Sequence, residues 1–98
     1  MGFHVYILRC SDRSYYTGHT DDLEKRLAAH ERGGIPGYTL RRRPVGLVFS
    51  EEFRSREDAF ARERQIKGWS RNKKQALIQG NRDHLRALAK AYGSTVSP

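Results

Sequence analysis

The chain has 98 residues, of which 37% are apolar and 31% charged, with a formal net charge of +8 and a pI near 10.2. That length supports one small domain with a thin core, and so basic a balance predicts a polyanion as partner, most often nucleic acid, with solvated surface charge as the plainer alternative. A single cysteine, Cys10, excludes an internal disulfide or a cysteine-rich zinc site, and the apolar run near the start, interrupted at Arg9, is too short for a signal peptide or membrane span, which predicts a cytoplasmic protein with no membrane partner.

Phe3 to Arg9 is rich in β-branched and aromatic residues and reads as a strand. Ser11-Asp12-Arg13-Ser14 is a turn, and Tyr15 to His19 returns beside the first strand as a hairpin. Asp21 and Glu24 have the spacing of an N-cap and its capping-box partner, and they open a helix over about residues 22–32. Gly33-Gly34 stops it, and GGIPGYTLRRRP, which follows, is a loop by composition. Val45 to Phe53 reads as a third strand with Val45, Leu47 and Phe49 on one face. Ser55 and Asp58 repeat the capping spacing and start a second helix that runs to about Lys67, where Gly68 breaks it. Ser70 caps a third helix, RNKKQALIQ, and Asn81 a fourth, with Leu85, Leu88 and Tyr92 at helical spacing. The order β-β-α-β-α-α predicts an α+β fold: a small three-stranded, mainly antiparallel sheet flanked by helices. One domain over residues 1–92 and a flexible tail over 93–98 complete the expectation.

Two helices carry residues that sit badly with a purely structural role. In the first, Arg26 and His30 are four apart and share one edge of the face that Leu23 and Leu27 turn to the sheet. A histidine there is ordinarily a satisfied boundary residue, but a half-buried guanidinium beside it needs an anion. In the second, Glu63 falls inside the apolar face among Ala59, Phe60 and Ile66. A carboxylate on a core face is costly unless it is paired or holds a metal. Either a salt bridge to Arg26 or a metal ion satisfies that requirement, and the helical wheel leaves both open.

Other features carry less. His4, His19 and His30 fit no zinc-ligand spacing. GGIPG follows no strand, opens no helix and lacks the Lys-Ser/Thr of a phosphate loop. Arg41, Arg42 and Arg43, with Lys67, Arg71, Lys73 and Lys74, read as a phosphate-tracking surface, with solvated charge as the alternative.

Taken in order, His4-Val5-Tyr6, Tyr16-Thr17-Gly18, Arg26, His30 and Glu63 resemble the signature of the GIY-YIG endonuclease superfamily. EEFRSREDAFARERQIKGWSRNKKQALI is similar to the small stand-alone bacterial branch of that superfamily, and the resemblance covers about residues 3–78. His4 stands where the first motif has glycine, and Thr17 where the second has isoleucine; both are backbone-packing positions. The resemblance covers the catalytic module and not the separate DNA-binding domain of larger relatives, which implies low target specificity.

The resemblance implies a metal-dependent endonuclease that hydrolyses DNA phosphodiester bonds with low sequence specificity. In that chemistry Tyr6 takes the proton of the attacking water, Arg26 steadies the phosphate, and Glu63 holds Mg2+ or Mn2+ near the leaving 3′-oxygen. Tyr16 and His30 orient or tune Tyr6, and Tyr38 reaches the nucleic acid from the loop. Tyrosine has an ordinary pKa near 10 and is a poor base at neutral pH unless positive charge lies close by. The alternatives are a nucleic-acid-binding module that keeps the fold with little turnover, and a small structural protein on ribosome or RNA. DNA is the expected partner, and a monomer the expected state.

Overall fold

The computed structural model describes residues 2–91, and side chains as far as Asn81. Three strands, β1 (Phe3–Arg9), β2 (Tyr15–Thr20) and β3 (Gly46–Phe53), form one antiparallel sheet in the order β2-β1-β3. Helix α1 (Leu23–Glu31) lies between β2 and β3 in sequence, and α2 (Arg56–Lys67) and α3 (Arg71–Ala91) follow. This is the α+β architecture and element order predicted above. The chain divides after Gly68 into two compact units, the first holding the sheet, α1 and α2, and the second α3.

Strand β1 is central because its apolar run is continuous. Val5, Ile7 and Leu8 are fully buried and Tyr6 is 2% exposed, so both faces of the strand are covered. Each such aliphatic side chain contributes roughly 1.5–3 kcal/mol of burial. Alternation along the strand sends Val5 and Ile7 to one face and Tyr6 and Leu8 to the other. The Val5 face is continued by their register partners, His19 and Thr17 of β2 and Glu51 and Phe49 of β3. Helix α2 packs on that face: Ala59 and Ile66 are fully buried, and Arg62 Nε donates to Glu51 Oε1 at 3.0 Å. On the Tyr6 face lie Gly18 and Tyr16, with His30 of α1 reaching the Tyr6 hydroxyl.

Local signals account for most boundaries. Ser55 Oγ accepts from Asp58 N at 3.1 Å to start α2, Gly68 is its C-cap, and Ser70 Oγ accepts from Lys73 N at 3.2 Å before α3. Helix α1 begins one residue later than predicted. Its N-cap is Asp22, whose Oδ1 accepts from Lys25 N at 3.1 Å, while Asp21 turns to Arg56 at 3.5 Å. Gly33, at φ +76°, closes the helix in the left-handed conformation that a glycine adopts without strain.

Three expectations are corrected. The apolar face predicted for β3 is interrupted by a register irregularity opposite Ile7 and Leu8, so Phe49 is buried while Leu47 is 42% exposed, and Val45 precedes the strand. Residues 71–91 form one helix where the sequence predicts two, because an isolated glycine such as Gly80 costs a helix only about 1 kcal/mol. In α1 the buried residue is His30; Leu23 and Leu27 are half-buried, and Arg26 is exposed. The tail predicted over 93–98 lies outside the described residues. Among those described, no helix is long and apolar enough to cross a membrane.

Candidate active site

Tyr6 stands opposite Gly18, and the missing side chain there lets the tyrosine ring lie across β2. A Cβ at Gly18 would come within 2.7 Å of the Tyr6 hydroxyl oxygen and 3.2 Å of Tyr16 Cε2. The Tyr6 hydroxyl meets His30 Nε2 at 3.0 Å, and Nδ1 of the same ring meets Thr39 Oγ1 at 2.8 Å. Tyr6, His30 and Thr39 are 2%, 1% and 2% exposed, so this hydrogen-bonded row is nearly dry. Tyr16 packs against both rings, with centroids 6.4 Å from Tyr6 and 5.3 Å from His30. Tyr38 stacks on Tyr16 at 6.1 Å, and the Arg42 guanidinium lies 3.9 Å over the Tyr38 ring.

Burial decides the protonation of this row. It holds His30 below the ordinary histidine value, and the Arg26 charge pushes the same way, so the imidazole is neutral at pH 7. Burial also raises Tyr6 well above the usual phenol value; Tyr16 and Glu63 add to the rise and Arg26 opposes it. The resting pair is therefore a phenol facing a neutral imidazole. The phenol is a stronger donor than the threonine hydroxyl, which assigns Tyr6 O–H as donor to Nε2 and Nδ1–H as donor to Thr39.

Glu63 belongs to a second cluster. It lies on α2, 7% exposed, and meets His19 Nδ1 through Oε1 at 2.6 Å and Lys67 Nζ through Oε2 at 2.9 Å. Burial pushes its pKa up, but the bonds and charges of His19 and Lys67 outweigh that and hold it below the usual carboxylate range. The salt bridge to Arg26 that the wheel left open is not formed; a strand histidine and the next turn of α2 supply the partners. Because His19 pairs with Val5 and Gly18 with Tyr6, the two clusters start from opposite faces of the sheet. Glu63 is nonetheless close enough for its charge to add to the rise of the Tyr6 pKa.

The sequence-predicted residues thus fall into three groups. Tyr6, Tyr16, His30 and Tyr38 are in direct contact, Arg26 is an exposed charge acting on Tyr6 and His30, and Glu63 is held by His19 and Lys67. Among the basic residues, Arg42 donates to Asp12 Oδ2 at 3.0 Å and to the Tyr38 carbonyl at 2.9 Å, and Arg43 donates to the Leu40 and Glu31 carbonyls. These two tie the loop together, whereas Arg41 is exposed. Arg71, Lys73 and Lys74 open α3, with Lys73 Nζ 4.3 Å over the Trp69 ring. Two residues of these clusters lie outside the sequence-predicted set. His19 carried a signal, its place one residue past the second motif's glycine; Thr39, in an irregular loop, carried none.

The model of the GIY-YIG catalytic domain matches residues 2–76. The chain belongs to the GIY-YIG family. Among its relatives, a UPF0213 protein of Staphylococcus haemolyticus is 46% identical over 76 residues, covering 78% of this chain and 93% of the relative. A UPF0213 protein of Halobacterium salinarum is 47% identical over 75 residues, 76% of this chain and 97% of the relative. The solution structure of a UPF0213 protein from Bacillus halodurans is similar with a TM-score of 0.54 at 42% identity, covering 81% of this chain and 84% of that one. A solution structure from E. faecalis gives 0.59 at 32% identity over 84% and 88% of the two chains. The GIY-YIG domain implies a nuclease family acting on nucleic acid, and its nucleases generally use divalent metals.

Among the described residues no three histidine, cysteine or acidic side chains cluster to hold a metal. A single carboxylate suits an ion that keeps most of its waters, such as Mg2+ or Mn2+. Glu63 fits that requirement: it is ionised and buried, and Oε2 already faces a cation, the Lys67 ammonium, whose side chain is 52% exposed.

Proposed function

We propose that this GIY-YIG chain is a metal-dependent endonuclease that hydrolyses DNA phosphodiester bonds with little sequence specificity. The buried hydrogen bond from Tyr6 to His30 carries the reading. A phenol whose pKa is raised cannot take a proton as it stands, so Tyr6 must give one up as it accepts one. His30 Nε2, neutral and 3.0 Å away, receives it. A water proton passes to Tyr6 Oη while the Tyr6 proton passes to Nε2, and the water oxygen forms its bond to phosphorus. The 3′-oxygen departs with the bonding electron pair and takes a proton from solvent, and the imidazolium later returns its proton through Tyr6. Arg26, exposed at the rim, offsets the charge that develops on the phosphate and on Tyr6. Glu63 would hold the Mg2+ or Mn2+ ion, which supplies charge stabilisation at the leaving oxygen when bound.

One observation favours a second reading, a nucleic-acid-binding module with little turnover: Lys67 satisfies the Glu63 oxygen that a metal would need. Supercoiled plasmid incubated with Mg2+ or Mn2+, beside a chelator control, separates the two. The nuclease reading expects metal-dependent nicking that Tyr6→Phe abolishes while the protein still folds, its melting temperature lowered by the loss of one buried hydrogen bond. A Tyr6→Phe protein that nicks at the parent rate overturns the tyrosine–histidine mechanism, and plasmid binding without nicking favours the module.

A further inference from the structure

We infer that Thr39 is a positioning residue for the reaction, its hydroxyl fixing the His30 tautomer so that Nε2 is the nitrogen left to take the Tyr6 proton. The inference rests on the nuclease reading above and adds a member to its machinery.

Residues 32–45 contain no helix or strand, and most are exposed or half-buried. Irregular segments seldom bury a polar side chain, because their own backbone already needs partners. Thr39 is the exception in this one at 2% exposure, and its Oγ1 meets His30 Nδ1 at 2.8 Å. The loop is braced so as to keep it there. Arg42 N donates to the Thr39 carbonyl at 3.0 Å, the Arg42 carbonyl accepts from Ser11 N at 2.9 Å, and the Arg42 side chain is tied to Asp12. The turn between β1 and β2 thereby sets the position of a hydroxyl on the far side of the His30 ring.

A neutral imidazole has one proton and two places for it, and the hydrogen bond made by one nitrogen decides the state of the other. With Thr39 accepting from Nδ1–H, Nε2 keeps its lone pair toward Tyr6. Without the hydroxyl, an Nδ1–H would be buried and unpaired, a greater cost than an unpaired lone pair. The proton would move to Nε2, which could then donate to Tyr6 but not accept from it. The groups facing this ring are Tyr6 from β1, Tyr16 from β2 and the Arg26 charge on α1. None of them is hydrogen-bonded to Nδ1, so Thr39 is what gives an Nδ1–H its partner, while the phenol's donor strength at Nε2 acts in the same direction.

The test compares Thr39→Val, which keeps the shape and removes the hydroxyl, with Thr39→Ser, which restores it. Two-bond 1H–15N spectra at neutral pH report the His30 tautomer without reference to activity. The parent should carry the proton on Nδ1, Thr39→Val should shift it to Nε2, and Thr39→Ser should keep the parental pattern. Nicking kcat should fall by about 10²-fold or more in Thr39→Val, with KM nearly unchanged, because a wrong tautomer removes the acceptor and leaves binding alone. Thr39→Ser should recover most of the rate. A parent ring protonated on Nε2 overturns the inference even if Thr39→Val fails to fold, as does a Thr39→Val protein with unchanged tautomer and rate. If the parent does not nick at all, the nuclease reading fails, while the spectra still decide what Thr39 does to the ring.

Discussion

Glu63 illustrates what one residue's surroundings decide. Its partners are a histidine 22% exposed and a lysine 52% exposed at the side chain, so removing the carboxylate leaves groups that water can reach. Glu63→Ala should therefore cost stability only on the order of 1 kcal/mol, where stranding a buried charge would cost about 3–5 kcal/mol. Because the folded-state pKa of Glu63 lies below its ordinary value, its contribution is fully present above about pH 4.3. It is lost as pH falls through the lowered folded value. Denaturant titrations of parent and variant should differ at pH 7 and converge in acid. If Glu63 holds the metal, the variant should also stop nicking yet bind DNA as tightly or slightly more so, since a negative charge leaves the site. Its burial was legible from the helical wheel, because Ala59 and Ile66 flank it. Its partners were not, since a wheel ranks the faces of one helix and does not place the strand residues opposite. The same limit misplaced Arg26, expected half-buried, in a nine-residue helix whose buried residue is His30.

At the level of elements, capping signals were readable because they are local: a serine and the amide three residues on settle where α2 starts. The irregularity in β3 depends on pairing with β1, and the burial of Thr39 on how the loop folds over the sheet. Neither leaves a trace in a short window of sequence. Strand β2 offers the sharpest test. Tyr6 is buried and cannot swing away from a methyl group placed 2.7 Å from its hydroxyl oxygen, so Gly18→Ala should act as overpacking and destabilise by about 1–3 kcal/mol. It should also break the bond to His30. Thermal melts should show the first effect, and a nicking loss larger than the melting shift explains should show the second. A variant with parental stability and rate would mean that the ring has more room than its contacts allow.

For the whole molecule, the +8 charge overstates the positive charge available to a phosphate backbone. Arg42, Arg43 and Lys67 already have internal partners. Duplex affinity should fall with log salt by about 0.9 per phosphate contact. Arg41→Ala should lower that slope by about one contact, whereas Arg42→Ala should leave it unchanged and weaken binding, if at all, through the loop. Equal slopes for the parent and Arg41→Ala would remove Arg41 from the interface. The fold also sets an order in time. Tyr6 and Tyr16 come together within the first hairpin, but the partner of Tyr6 lies 24 positions along the chain, and that of His19 lies 44. As the chain leaves the ribosome, the phenol and imidazole can meet while α2 is still unmade. The carboxylate lies on α2, a later element, and can meet His19 only once that helix has been made. On the nuclease reading proposed above, cutting is the last capacity the chain acquires, because the carboxylate is the last of these groups to be placed.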